Sequence, residues 1–241
     1  MQNRQNALIE TEAPQGGFGR RDFLKYGGMG IAAAILVGTS SGCKKDNNTA
    51  NNPHNGGNIV FPAGDAGILN YAYALEQLEA AFYTQVLAGS YYTGLSSSSA
   101  EKAILSDIHL HEVCHRDFFK AALGSSAIGA LTPFFNNINF NDRTSVLTQA
   151  KIFEDLGVSA YNGAASFISD TGYLLVAGKI VSVEARHASA IRDLLNPNTT
   201  SFAGDDVIGS TGLDVSNTFA YVLGQASAFI TNTIDASNLP Q

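Results

Sequence analysis

Beyond residue 65, apolar residues recur at helical spacing along most of the chain, and no segment sustains a period-two alternation. Residues 66–88 place Leu69, Ala72, Tyr73, Glu76, Glu79, Ala80, Tyr83, Val86 and Leu87 along one helical stripe. Asp65 stands as its N-cap, and Gly89 ends the run, leaving 89–96 as a turn. Ser98-Ser99-Ala100-Glu101 reads as a capping box for a second helix running to about Leu123. Residues 124–141 carry Gly, Pro133 and several Asn, the composition of a long connection. A third helix is expected from near Asp142 to about Ser169, then a tight joint at Asp170-Thr171-Gly172. A fourth reaches Leu195, where Asn196-Pro197 stops it. Residues 214–234 read as a fifth, apolar helix. The expected fold is all-α: a four-helix bundle with a long crossover between helices 2 and 3 and an additional C-terminal helix.

Charge falls in unusual places within this pattern. After residue 43 the Glu residues are 76, 79, 101, 112, 154 and 184, and five of these six lie on the apolar side of an expected helix. A carboxylate there is costly unless something positive compensates it. Two of the five His follow a Glu by three residues, in Glu112-Val113-Cys114-His115 and Glu184-Ala185-Arg186-His187. Positions i and i+3 share a helix face, so each pair can aim one carboxylate and one imidazole at the same point. With eight Glu in the chain, any one His has roughly a 3% chance of this spacing, and two matches among five His are roughly a 1% coincidence. The halves of the bundle also echo each other. Glu76 is followed by Tyr83, Glu154 by Tyr161, and each helix precedes one bearing Glu-x-x-His. Four carboxylates and two imidazoles suit two Fe or Mn ions, and suit structural Zn poorly, since Zn takes four ligands and favours thiolates.

Composition excludes several alternatives. The formal net charge of -7 argues against a nucleic-acid partner, which would need a clustered basic face. Two cysteines, Cys43 and Cys114, cannot build a disulfide framework. The longest apolar run is too short and glycine-rich for a membrane span. It follows Gly19-Arg20-Arg21-Asp22-Phe23-Leu24-Lys25, and together these resemble a twin-arginine export signal, with Arg20 and Arg21 as the paired arginines. Ser41-Gly42-Cys43 resembles a lipoprotein cleavage box that would leave Cys43 as the lipidated N-terminus; cleavage near Thr39 to Ser41, or an uncleaved anchor, are the other readings. The expected organisation is a signal segment over 1–43, a flexible tether over 44–60 and a helical domain over 61–241, with the bundle at about 65–195 and an extra segment at 196–241. The expected partners are the twin-arginine export machinery and, through a lipid anchor, the membrane of the cell envelope. Removing 1–43 leaves ten basic against eighteen acidic residues, an acidic exported domain. A homo-oligomer is left open.

The paired Glu-x-x-His motifs resemble those of the ferritin-like superfamily of di-iron carboxylate proteins. Within it, the run Asn70-Tyr71-Ala72-Tyr73-Ala74-Leu75-Glu76-Gln77-Leu78-Glu79-Ala80-Ala81-Phe82-Tyr83 resembles the desiccation-related ferritin-like family. The resemblance spans roughly residues 60–195. It implies Glu76 and Glu154 as terminal ligands, Glu112 and Glu184 as bridging ligands, and His115 and His187 as one imidazole per ion. It further implies Tyr83 and Tyr161 as hydrogen-bond donors to ligand carboxylates. In two respects the sequence departs from the pattern. Bacterioferritin-like sequences often place Asp just before each Glu-x-x-His to orient the opposite imidazole, and these positions here are His111 and Val183. Glu79 stands where a small residue is common and is a candidate additional ligand, a protonated neighbour, or the true ligand of helix 1.

Other residues have simpler readings. Cys114 is expected to be buried as a small apolar residue, His109 and His111 to lie at the surface or behind the ligands, His54 to sit idle in the tether, and Tyr91-Tyr92 to cap the bundle end. Three functions remain open: an oxidoreductase acting on ferrous iron, O₂ or peroxide; a non-catalytic metal-holding, stress-protective envelope protein; and a bundle without metal whose Glu and His satisfy one another. Because one fold hosts many chemistries, the resemblance alone does not choose among them.

Overall fold

The computed structural model describes residues 56–241, so the export signal with Arg20 and Arg21, Cys43, His54 and most of the tether lie outside the described residues. Four long helices form the bundle: α1 (Asp65–Ala88), α3 (Ala100–Leu123), α4 (Arg143–Ala164) and α5 (Thr171–Leu195). A single helical turn, α2 (Ser90–Gly94), lies within the turn expected over 89–96. The C-terminal helix α6 covers only Phe219–Ala226. Two three-residue strands, β1 (Asn58–Val60) and β2 (Thr233–Asp235), pair in parallel with Ile59 opposite Ile234. Among the described residues no helix is long and apolar enough to cross a membrane. The all-α, four-helix architecture is the one the periodicity predicts, with the crossover between α3 and α4.

Local chemistry sets the helix ends. Asp142 accepts from the Ser145 amide at 2.7 Å, and Asp170 accepts from Gly172 at 2.7 Å and Tyr173 at 3.1 Å, so both act as N-caps. At α3 the cap is Ser99 rather than Ser98. Glu101 therefore falls one position early for a capping box, and instead it pairs with Arg143 at 2.7 Å and accepts from Tyr91. At α1 the cap position belongs to Gly64, whose φ of 68° suits glycine. Asp65 faces the far joint, accepting from the amides of Ser169 and Asp170 at 2.9 and 2.8 Å. That bond ties the start of α1 to the α4–α5 corner.

α1 is buried on nearly every side, as expected of a helix apolar all round. It packs against α3 and α4, while α5 packs against α4 and α3. The crossover runs along α1 and is pinned there by two amides two turns apart. Asn70 accepts from Ile128 and donates to Ser126, and Gln77 accepts from Leu131. Phe82, Phe135, Phe140, Phe153 and Phe229 form an edge-to-face aromatic layer, with Phe82 and Phe153 centroids 5.0 Å apart.

The C-terminal segment wraps this bundle instead of adding a long helix. The Asn217 amide bonds to the Ser159 carbonyl at 3.0 Å, close enough to α4 that only glycine fits at 163. A Cβ there would lie 1.9 Å from the Asn217 carbonyl oxygen. Buried Arg192 on α5 holds both Asp155 of α4 and Asp206 of the tail at 2.8 Å. The fifth helix is thus shorter than the expected 214–234. Residues 214–217 are committed to crossing α4, and residues after 229 turn into β2.

Candidate metal centre

Each long helix contributes carboxylates to one interior point. Glu76, Glu112, Glu154 and Glu184 are fully buried, His187 is nearly so, and His115 is 13% exposed. Two sets of ligand atoms converge: Glu76, Glu112, His115 and Glu184 in one, and Glu112, Glu154, Glu184 and His187 in the other. Glu112 and Glu184 belong to both sets, so they stand between two positions, each closed by one terminal carboxylate and one imidazole. His115 Nδ1 lies 2.8 Å from Glu184, 3.4 Å from Glu76 and 3.7 Å from Glu112. His187 Nδ1 mirrors it, at 2.8 Å from Glu112, 3.4 Å from Glu154 and 3.6 Å from Glu184. These nitrogens and oxygens are close but not aligned as hydrogen bonds. Both oxygens of Glu112 and Glu184, one each of Glu76 and Glu154, and both Nδ1 atoms are buried without a hydrogen-bond partner. Native interiors rarely leave so many polar atoms orphaned in one place. Donors aimed at a shared point rather than at each other are what a cation would satisfy.

The outer oxygens are held by tyrosines that cross between the halves. Tyr83 of α1 donates to Glu154 Oε1 on α4, and Tyr161 of α4 donates to Glu76 Oε1 on α1. Burial, followed by the neighbouring carboxylates, raises both phenols well above their usual range, so they remain protonated donors. Each tyrosine leaves the second oxygen of its carboxylate facing inward.

The electrostatics are those of a cation site. No Lys or Arg among the described residues pairs with these carboxylates. Burial and the Glu184 charge raise Glu112 to about 8, despite the pull of both imidazoles. Burial lowers the preference of His187 for charge, but Glu154, Glu112 and Glu184 outweigh it and raise His187 to about 12. His115 is raised in the same way by Glu112, Glu184 and Glu76. Burial opposes ionisation of Glu184, yet the two imidazoles hold it down to about 2.

Glu79 is a fifth buried carboxylate, outside both converging sets. It reaches toward Gly157, the position on α4 that corresponds to its own on α1. A Cβ at 157 would lie 3.0 Å from Glu79 Oε1 and 3.9 Å from Glu184 Oε2. The glycine thus vacates the space that the extra carboxylate uses. Burial, then repulsion from Glu112, Glu184, Glu76 and Glu154, raises Glu79 well above the carboxylate range. Glu79→Gln will accordingly stabilise the metal-free protein at pH 8, by about 1.4 kcal/mol for each pH unit over which the unfolded chain ionises Glu79 and the folded one does not, because glutamine has no proton to lose. Thermal scans check this, and a lowered melting temperature would mean that Glu79 has a stabilising partner.

A ferritin-like domain family model matches residues 64–197, more than half of the chain. The chain belongs to the ferritin-like family. No curated protein matches it significantly. Within the ferritin-like domain, some side chains sit where the sequence did not suggest. Cys114 is exposed rather than buried, because it lies two residues from Glu112 and so about 200° around α3 from the ligand face. His109 contacts Thr84 at 3.2 Å, away from the centre. His111 Nδ1 lies 2.9 Å from His187 Nε2, so the residue before Glu112 does meet the opposite imidazole. An Asp at that position would have signalled this contact, and a His did not. Tyr91 and Tyr92 bind Glu101 and Ser106 at the bundle end, as expected of capping residues.

Proposed function

We propose that this ferritin-like domain holds two Fe or Mn ions between its helices and carries out redox chemistry with ferrous iron, O₂ or peroxide. The observation that carries the reading is the pair of buried ligand sets sharing Glu112 and Glu184, every inward atom of which lacks a hydrogen-bond partner. Oxygen-rich donors with one imidazole per position suit Fe and Mn. A pair of such ions supplies electron transfer to or from a small oxygen species. The chain's own residues fix and shield that chemistry. Tyr161 and Tyr83 orient Glu76 and Glu154, the four helices exclude water, and the shared carboxylates hold the two positions together.

We further infer that the domain is exported and belongs with the desiccation-related branch, on the strength of Arg20-Arg21 and the α1 motif, with Cys43 as the lipid-bearing residue. Glu79 is a candidate additional ligand on the strength of its burial beside the set. A non-catalytic, stress-protective role in the envelope is the second reading, favoured by the absence, among the described residues, of a cation other than the imidazoles beside these carboxylates.

Full-length chain purified from the envelope fraction tests these readings together. Metal analysis should find about two Fe or Mn per chain, and ferrous iron with O₂ should give a new absorption band. His115→Ala should weaken one ion more than the other. Two retained ions without turnover would favour the protective role, and a chain without Fe or Mn would sink the dinuclear reading. A full-length chain that stays in the cytoplasm would sink the export reading.

A further inference from the structure

The two halves of the site differ in what lies behind the imidazoles. His187 turns Nδ1 toward Glu112, Glu154 and Glu184. Its outer nitrogen, Nε2, lies 2.9 Å from Nδ1 of His111. The two rings meet edge to edge, with centroids 5.1 Å apart and planes 11° from parallel. His187 is buried and His111 is exposed. Among the described residues, His115 has no comparable partner at Nε2. The position that would supply one, just before Glu184, holds Val183, whose side chain has no polar atom.

We propose that His111 is a positioning residue that holds the His187 ring with Nδ1 aimed at the carboxylates. The ion position built from Glu112, Glu154, Glu184 and His187 is thereby the tighter of the two. The ranking of the ions rests on the dinuclear reading above; the positioning of the ring does not.

Proton bookkeeping supports the arrangement. A neutral imidazole has one N–H and one lone pair. An ion at His187 Nδ1 uses the lone pair there, so the N–H must sit on Nε2 and donate outward. His111 Nδ1 must then accept, which places the proton of His111 on its own Nε2. Turning the ring over would lose both the His111 bond and the inward nitrogen. Partners of this kind on a ligand imidazole fix its orientation and raise its basicity, and their loss typically costs about 10- to 100-fold in metal affinity.

Two measurements test this. In metal-free, full-length protein carrying ¹⁵N-histidine, NMR should detect scalar coupling across the hydrogen bond between His187 Nε2 and His111 Nδ1. Its absence overturns the proposal. Titration with Mn²⁺, followed by the EPR signal of the free ion, should show His111→Ala weakening one ion by about 10- to 100-fold. The other ion should stay within about threefold of the parent. His111→Asn keeps an acceptor at nearly the same place and should restore most of the loss. In a His187→Ala background, His111→Ala should change nothing further. Equal weakening of both ions, or an undiminished effect in that background, overturns the proposal. A parent chain that shows the coupling yet takes up neither Mn²⁺ nor Fe²⁺ overturns the dinuclear reading while supporting the positioning of His187.

Discussion

Replacing both Glu112 and Glu184 by alanine will leave the protein unable to hold either ion. Each carboxylate belongs to both converging ligand sets, so the pair supplies half of the donors at each position. The loss leaves one carboxylate and one imidazole per position, Glu76 with His115 and Glu154 with His187, on helices that no longer share a ligand. For the parent, Mn²⁺ at about one hundred times its dissociation constant adds about 2.7 kcal/mol. In a domain of this size that is roughly 5 to 10 °C in melting temperature. The double variant should show no such shift and no retained metal. It should still fold, because the residues removed are the ones whose burial is most costly without an ion. The paired singles should differ from the double, each keeping one shared carboxylate and some residual binding. Two ions retained by the double variant would mean that the shared carboxylates are not bridges.

The same residues show why so much of the centre could be read from sequence. Glu112 and His115, like Glu184 and His187, are one helical turn apart, and no packing detail is needed to see that they share a face. Tyr83 and Tyr161 sit seven residues beyond Glu76 and Glu154, two turns along, and meet the opposite half because the bundle is quasi-symmetric. What could not be read depends on contacts between distant segments. The His111–His187 bond needs the relative height of α3 and α5, which no periodicity encodes. The exposure of Cys114 follows from helical angle, but the expectation for free cysteine weighed composition above geometry. The shortening of the fifth helix comes from Asn217 docking on Ser159 and from Arg192 holding Asp206, partners dozens of residues away or hidden in an irregular tail. Strands of three residues are too short to show an alternation, so β1 and β2 left no trace in the pattern.

Raising the pH from 6 to 8 will destabilise the metal-free protein and at the same time strengthen its hold on metal. Glu112 has its folded pKa raised from 4.5 to about 8, so the folded state keeps a proton that the unfolded chain releases. Its contribution to stability is fully present below 4.5 and is lost as the pH rises through 8. Glu79 and Glu154 are raised too and act in the same sense. His187, raised from 6.5 to about 12, contributes below 6.5 and loses that contribution as the pH climbs toward 12. Glu184 runs the other way: lowered from 4.5 to about 2, it contributes above 4.5 and loses that only in strong acid. Between pH 6 and 8, then, only the destabilising kind of titration is under way. Each proton held by the folded state alone costs about 1.4 kcal/mol per pH unit, so one such proton removes about 2.7 kcal/mol over this range. That is roughly 5 to 10 °C in melting temperature. A metal ion needs the same atoms deprotonated, and its affinity rises as protons leave. Melting curves with and without saturating Mn²⁺ should therefore diverge as the pH rises, the metal-free curve falling while the loaded one holds. A metal-free melting temperature that stays flat or climbs from pH 6 to 8 would mean that neither the buried carboxylates nor the imidazoles of the folded state hold protons that the unfolded chain gives up.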